Sequence, residues 1–277
     1  VAQSYFIACY QMVRSFIGYL SQHSFKKSLN EKTCLTGDQN TAVGHDAGNG
    51  LTSGTDNVMI GHLAGVSATS AGDCVIVGEQ AGGGAVLTGN NNTFVGRAAG
   101  YEMTSGQYNL LLGKDAGRSN SPAGSQTTGN GTVCLGDDNI SDLFCADTSI
   151  SSSDSRDKAD ITDFSAGLNW IKDLRPVTYK WDKRSWYGTE EEPLGTPDGS
   201  KKKSKVHIGF IAQEVLEIEK ANGFADSKDT MLTCNLTEDD QRYGMKYERL
   251  VPILVNAIKE LSAKIETLET KVTALEG

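Results

Sequence analysis

The sequence predicts a mainly β shaft of short repeated strands, followed by an α+β unit that ends in a long coiled-coil helix. Three observations carry that reading. An apolar triplet closed by glycine recurs at nearly constant spacing between residues 40 and 136. The composition changes near residue 150, from Gly-rich and very poor in Lys and Arg to Lys-bearing and helix-patterned. Beyond Lys246 the apolar side chains settle into alternating steps of three and four.

The repeat is explicit. Asn40 to Gly44 (NTAVG), Asn57 to Gly61 (NVMIG), Cys74 to Gly78 (CVIVG), Asn92 to Gly96 (NTFVG), Asn109 to Gly113 (NLLLG) and Thr132 to Gly136 (TVCLG) are variants of one unit. The closing glycines step by 17, 17, 18, 17 and 23 residues, and five units run on to an Ala-Gly pair. Each unit offers a strand of about four apolar or β-branched residues, too little for a core of its own, so neighbouring coils must stack to bury it. Glycine at each corner supplies positive backbone dihedrals and close backbone approach. Asn40, Asn57, Asn92 and Asn109 are expected to stack as a ladder, which Cys74 and Thr132 interrupt. The pattern resembles the β-roll and triple-β-helix repeats of trimeric adhesins and phage fibres. That resemblance implies a trimeric β-helix or β-roll, with a parallel shaft paired between chains.

Composition narrows the function classes. With 26 basic against 35 acidic side chains the formal charge is -9, the acidic excess falls in the Gly-rich part, and a nucleic-acid backbone is not an expected partner. Six cysteines, at 9, 34, 74, 134, 145 and 234, show no CxxC spacing and read as thiols of a reducing compartment. His45 and His62 hold equivalent places in successive units, but Glu79, Arg97 and Lys114 fill the same column, so it reads as a solvated face. No metal and no cofactor are expected. The apolar stretch within residues 1 to 30 is interrupted by Gln11 and Arg14 and is too short to span a bilayer. It reads as a helix or strand on the fibre axis, in a chain taken as a fragment of a longer fibre because it begins at Val1.

A second resemblance begins at the junction. The run Ser153-Asp154-x-Arg156-x-Lys158-x-Asp160-Ile161 is followed by Leu174 to Trp181 (LRPVTYKW), His207 to Val215 (HIGFIAQEV) and Tyr247 to Leu261. These four ordered stretches resemble the endosialidase-type intramolecular chaperone, an auto-processing peptidase domain found at the C-termini of phage tailspikes and fibres. The resemblance implies Ser153 as nucleophile and Lys158 as its general base. An amine accepts a proton at neutral pH only if it is desolvated or set near other cations, and Arg156 is the cation closest in sequence. Residues five apart on a helix do not face each other, so residues 153 to 158 must turn back, or the pair must be completed between chains. Ring geometry favours attack on the carbonyl of Ser152. The bond from Ser153 to Asp154 is the alternative. His207 is a candidate for orienting the site, Gln213 and Glu214 open the helix that follows, and Lys183 to Lys205 reads as a solvated loop.

The terminal pattern is a heptad seam: Val251, Leu254, Ile258, Leu261, Ile265, Leu268, Val272 and Leu275. Ile or Val alternating with Leu favours dimers in isolated peptides, whereas the family and the shaft imply a trimer. The expected organisation is an N-terminal segment at 1–33, repeats at 34–148, a chaperone and auto-processing domain at 149–246 and a coiled coil at 247–277. The reading is the C-terminal region of a phage tail fibre or tailspike, assembled in the host cytoplasm and carried on the virion tail. Its partners would be two more copies of itself, upstream tail or baseplate proteins, and a host-surface glycan or receptor, with no membrane insertion. A non-cleaving trimeric adhesin is one alternative. A membrane-tethered regulator using the same domain is another, and it needs a DNA-binding domain upstream and a membrane segment downstream.

Overall fold

Short apolar triplets between glycine corners make a chain that climbs by one strand spacing per coil. In the computed structural model, which describes residues 25–27 (backbone), 37–144, 153–189 and 191–276, strands β1 (Phe25–Lys27), β2 (Thr41–Val43), β3 (Val58–Ile60), β4 (Val75–Val77), β5 (Thr93–Val95), β6 (Leu110–Leu112) and β7 (Val133–Leu135) form one parallel sheet in sequence order. The expectations for residues 1 to 24, for Cys9, Cys34 and Cys145, and for Ser152 lie outside the described residues. The register is unbroken, with Val58 beside Thr41 and Val75, and Thr93 beside Val75 and Leu110. The middle residue of each triplet points inward: Ala42, Met59, Ile76, Phe94, Leu111 and Cys134 are buried, beside the alanine column Ala47, Ala64, Ala81, Ala99 and Ala116.

The ladder runs within one chain, which corrects the expectation of strands paired between chains. A coil of 17 residues returns to its starting position, so the amide of Val58 reaches the carbonyl of Cys74 (2.8 Å) and the amide of Gly78 reaches that of Ile60 (2.8 Å) without a partner copy. The asparagine ladder forms as two separate rungs. Asn57 Nδ2 donates to Asn40 Oδ1 (2.8 Å) and Asn109 Nδ2 to Asn92 Oδ1 (3.1 Å). At the interruptions the backbone still bonds: the Cys74 amide donates to Asn57 Oδ1 (3.0 Å) and the Thr132 amide to Asn109 Oδ1 (2.9 Å).

The closing glycines are held by sterics as well as by conformation. Gly78 has φ of +133°, and a Cβ there would lie 2.5 Å from the carbonyl oxygen of Gly96 in the next coil. Gly78→Ala is therefore expected to cost on the order of 3 kcal/mol, read as a lowered thermal unfolding midpoint by circular dichroism.

By density of contacts the chain divides into two units, residues 1–141 with 182–201, and residues 142–181 with 202–277. The segment read as a solvated loop accordingly belongs for most of its length with the solenoid. Lys183 Nζ donates to the carbonyl and carboxylate of Asp138 (3.0 and 3.3 Å), and Ser185 Oγ donates to the same carboxylate.

The second unit is α+β. Strand β8 (Val177–Tyr179) pairs antiparallel with β9 (His207–Gly209), and β10 (Cys234–Leu236) with β11 (Tyr243–Met245). Helix α1 (Leu168–Asp173) packs on the start of the long helix α3 (Leu250–Glu276), while α2 (Ala212–Ala221) lies by β10 and β11. Trp170, Leu250 and Ile253 form one buried cluster with Phe164 and Phe224 at its margin, and Val215, Leu216, Met231 and Cys234 form another. No helix among the described residues is long and apolar enough to cross a membrane.

Candidate active site

Asp154 shapes the turn that the junction needs. Its carboxylate accepts the amide of Arg156 (2.9 Å), starting a single 3-10 turn over Ser155–Asp157 that Lys158 ends. This turn returns the chain so that Lys158 Nζ donates to Ser153 Oγ at 2.7 Å. The structure thus brings together, within one chain, the two residues that sequence spacing left five apart. Both are exposed.

Arg156 does not face Lys158. Its guanidinium forks onto Asp154, with Nη2 at 2.6 Å and Nε at 3.1 and 3.2 Å from the carboxylate oxygens. The pairing holds the Asp154 carboxyl below its usual range and raises the Arg156 guanidinium above its own. Its charge is thus matched by a carboxylate, and it is a poor candidate for unburdening Lys158 of its proton.

His207 sits among aromatic rings. It stacks on Tyr179 (centroids 5.5 Å apart) and meets the edge of Trp181 (6.2 Å), and its side chain makes no hydrogen bond to Ser153 or Lys158. Glu214 forks onto Arg175, Nε to Oε2 at 3.1 Å, so the LRPVTYKW and HIGFIAQEV stretches meet through an ion pair that lowers the Glu214 carboxyl. The rings of His45 and His62 meet at a tilt, centroids 5.4 Å apart, in the solenoid, and no cluster of His, Cys, Asp or Glu suited to a metal occurs among the described residues.

Two polar devices escaped sequence reasoning. Glu219 is fully buried, and its carboxylate accepts the amides of Leu232 (3.0 Å), Thr233 (2.5 Å) and Cys234 (2.9 Å) together with the Thr233 hydroxyl. The available signal was its position, four residues after Val215 on the buried face of α2. Glu219→Gln turns an amide NH2 toward these donors, so it is expected to lower stability by about 2 kcal/mol in a denaturant titration. The neighbouring Cys234 thiol is pushed up to about 12, by burial first and then by Glu219, which makes it inert. The second device ties α3 to the domain. Glu260 accepts the first amide of α1 (Leu168, 3.1 Å), and Asn256 Nδ2 donates to the carbonyls of Phe164 (2.6 Å) and Ala166 (3.2 Å).

Helix α3 therefore has two apolar faces. Leu250, Ile253 and Ala257 are buried in their own unit. Val251, Leu254, Ile258, Leu261, Ile265, Leu268, Val272 and Leu275 leave 43% to 87% of their surface in water. A helix end so placed, fixed at its root and bare along a heptad seam, suits association with other helices.

The chain thus joins a β-solenoid to a small α+β unit, and the Ser153–Lys158 pair lies in the second. Residues 153–224 match the family described as chaperone of endosialidase, beginning at Ser153 itself. This stretch is an endosialidase-type chaperone domain, and autoproteolytic peptidase activity goes with that family. No curated protein and no solved structure is similar enough to the chain to count as a match. Such a domain behind a solenoid shaft fits a protein of the tail-fibre or tailspike type.

Proposed function

We propose that the chain is the C-terminal region of a bacteriophage tail fibre or tailspike that assembles as a homotrimer in the host cytoplasm. The seam of α3 gathers three copies, the chaperone domain supports folding of their shafts, and Ser153 with Lys158 then cuts the chain once. The mature shaft would reside on the virion tail, joined to upstream tail or baseplate proteins and directed at a host-surface glycan or receptor.

The observation that carries this reading is the 2.7 Å contact between Lys158 Nζ and Ser153 Oγ at the first residue of the matched domain. With Lys158 neutral, the Ser153 hydroxyl proton passes to Nζ as Oγ adds to the carbonyl carbon of Ser152. The Ser153 nitrogen leaves with a proton returned from Lys158, giving an ester. Water cleaves that ester to the Ser152 carboxylate and restores the hydroxyl. The scissile bond is Ser153's own neighbour, so proximity replaces substrate binding, and one turnover suffices.

Exposure of the pair in the single chain supports a link to assembly. The step needs a desolvated amine, and packing between copies is what would remove the water. Mass spectrometry of the assembled chain tests the reading. A fragment of about 125 residues starting at Ser153 is expected, and an uncut chain in a formed trimer would overturn it.

A further inference from the structure

Among the described residues the solenoid sheet packs one face into its interior and leaves the other partly exposed, although its strands carry the sequence signature of a sheet buried on both. Parallel sheets that bury both faces read as continuous Val, Ile and Leu runs, whereas a sheet facing water alternates apolar with polar. Here the triplets are TAV, VMI, VIV, TFV, LLL and VCL, and their middle residues fill the interior. Of the twelve outward positions ten are Val, Ile or Leu, two are Thr41 and Thr93, and none is charged. Val43, Ile60, Val95 and Leu135 each leave 38% to 43% of their surface in water.

We infer that this outward sheet face is the contact between shafts, covered by the same face of the other copies in parallel register. The inference rests on the trimer reading above and adds where the shafts meet. Five coil steps give a strip about 24 Å tall and about 10 Å wide. That is on the order of a few hundred Å² per copy, a contact that supplements the α3 seam rather than holding the copies together alone.

The chemistry selects a second copy as the occupant. Parallel packing in register sets each level against its own equivalent, which repels if the outward columns hold a charge and attracts if they are apolar at every level. Across β2 to β7 no outward position is charged and ten of the twelve are apolar, while Lys27 of β1 stands in register with Val43 at the end of the sheet. The column directly after each closing glycine is polar instead, with His45, Glu79, Arg97 and Lys114 each about half exposed, and its charges pair along the axis: Arg97 with Glu79 (3.5 Å) and Lys114 with Asp137 (3.1 Å). An apolar centre bounded by a self-neutralised polar rim is the anatomy of a protein interface. The two threonine hydroxyls offer a glycan almost nothing to bond, so a receptor sugar must engage some other surface.

Crosslinking through an added cysteine in the full chain tests this. Val95→Cys lies on the sheet face, Leu268→Cys on the α3 seam and Ser70→Cys on an exposed loop, with the unmodified chain as background. Under mild oxidation Val95→Cys and Leu268→Cys are both expected to shift from the monomer to the dimer band, and Ser70→Cys to stay at background. A dimer band from Leu268→Cys with Val95→Cys at background would overturn the sheet-face contact while leaving the seam intact. Background from both would remove the trimer reading and this inference with it.

Discussion

Ser153→Ala is expected to leave the chain at full length on a denaturing gel while its assembled mass in solution stays unchanged. The oxygen that attacks the Ser152 carbonyl is gone, yet the turn that holds the site is made by Asp154, Arg156 and the backbone, none of which the substitution touches. Lys158→Ala should also abolish scission, since loss of a positioned base slows such a step by up to about 10,000-fold. Lys158→Arg is the sharper variant. It keeps the charge and the reach to Ser153 but cannot give up its proton, so it should be as inactive as alanine. Cleavage by Lys158→Arg at the normal rate would show that the contact acts by charge alone.

The second large effect concerns assembly. Ile265→Lys places an ammonium at the centre of the seam in every copy, and its burial there costs several kcal/mol per chain. The seam side chain is half exposed in the single chain, so the fold of each copy should survive. The expected result is a monomer by sedimentation with normal circular dichroism and, although Ser153 and Lys158 are untouched, an uncut chain. Full cleavage in that monomer would separate the chemistry from assembly.

Much of this was legible because repetition and local spacing encode it directly. The repeat phase located β2 to β7 but not β1, the asparagine ladder formed with its interruptions at Cys74 and Thr132, and the apolar steps of three and four traced the exposed face of α3. The spacing of Ser153 and Lys158 left a turn or a pair between chains open, and the turn forms. What was not legible depends on distant partners. A strand triplet does not state whether its neighbour is the next coil or another chain, and the ladder proved to lie within the chain. The bonds from residues 232–234 to Glu219 and the cap that Glu260 places on α1, 92 residues away, arise from packing that no local pattern records. Lys183 looked like one more lysine of a solvated loop until Asp138 was seen beside it.

The intrachain ladder also changes how the parts cooperate. Contacts 17 residues apart close quickly, so the shaft can climb from coil to coil once nucleated, and in the trimer proposed above the slow step becomes the meeting of three chains. On the proposed reading, cutting the chain afterwards would remove the nucleus by which the shaft could unfold and refold, and would leave it held by its unfolding barrier.

The central claim is that scission waits for assembly, and the dependence of its rate on chain concentration tests that most directly. Refolded across a dilution series that spans the association range, the wild-type chain should cut slowly when dilute and faster with rising concentration, levelling off once all chains are assembled. A rate independent of concentration, with product appearing in the monomer, would contradict the account.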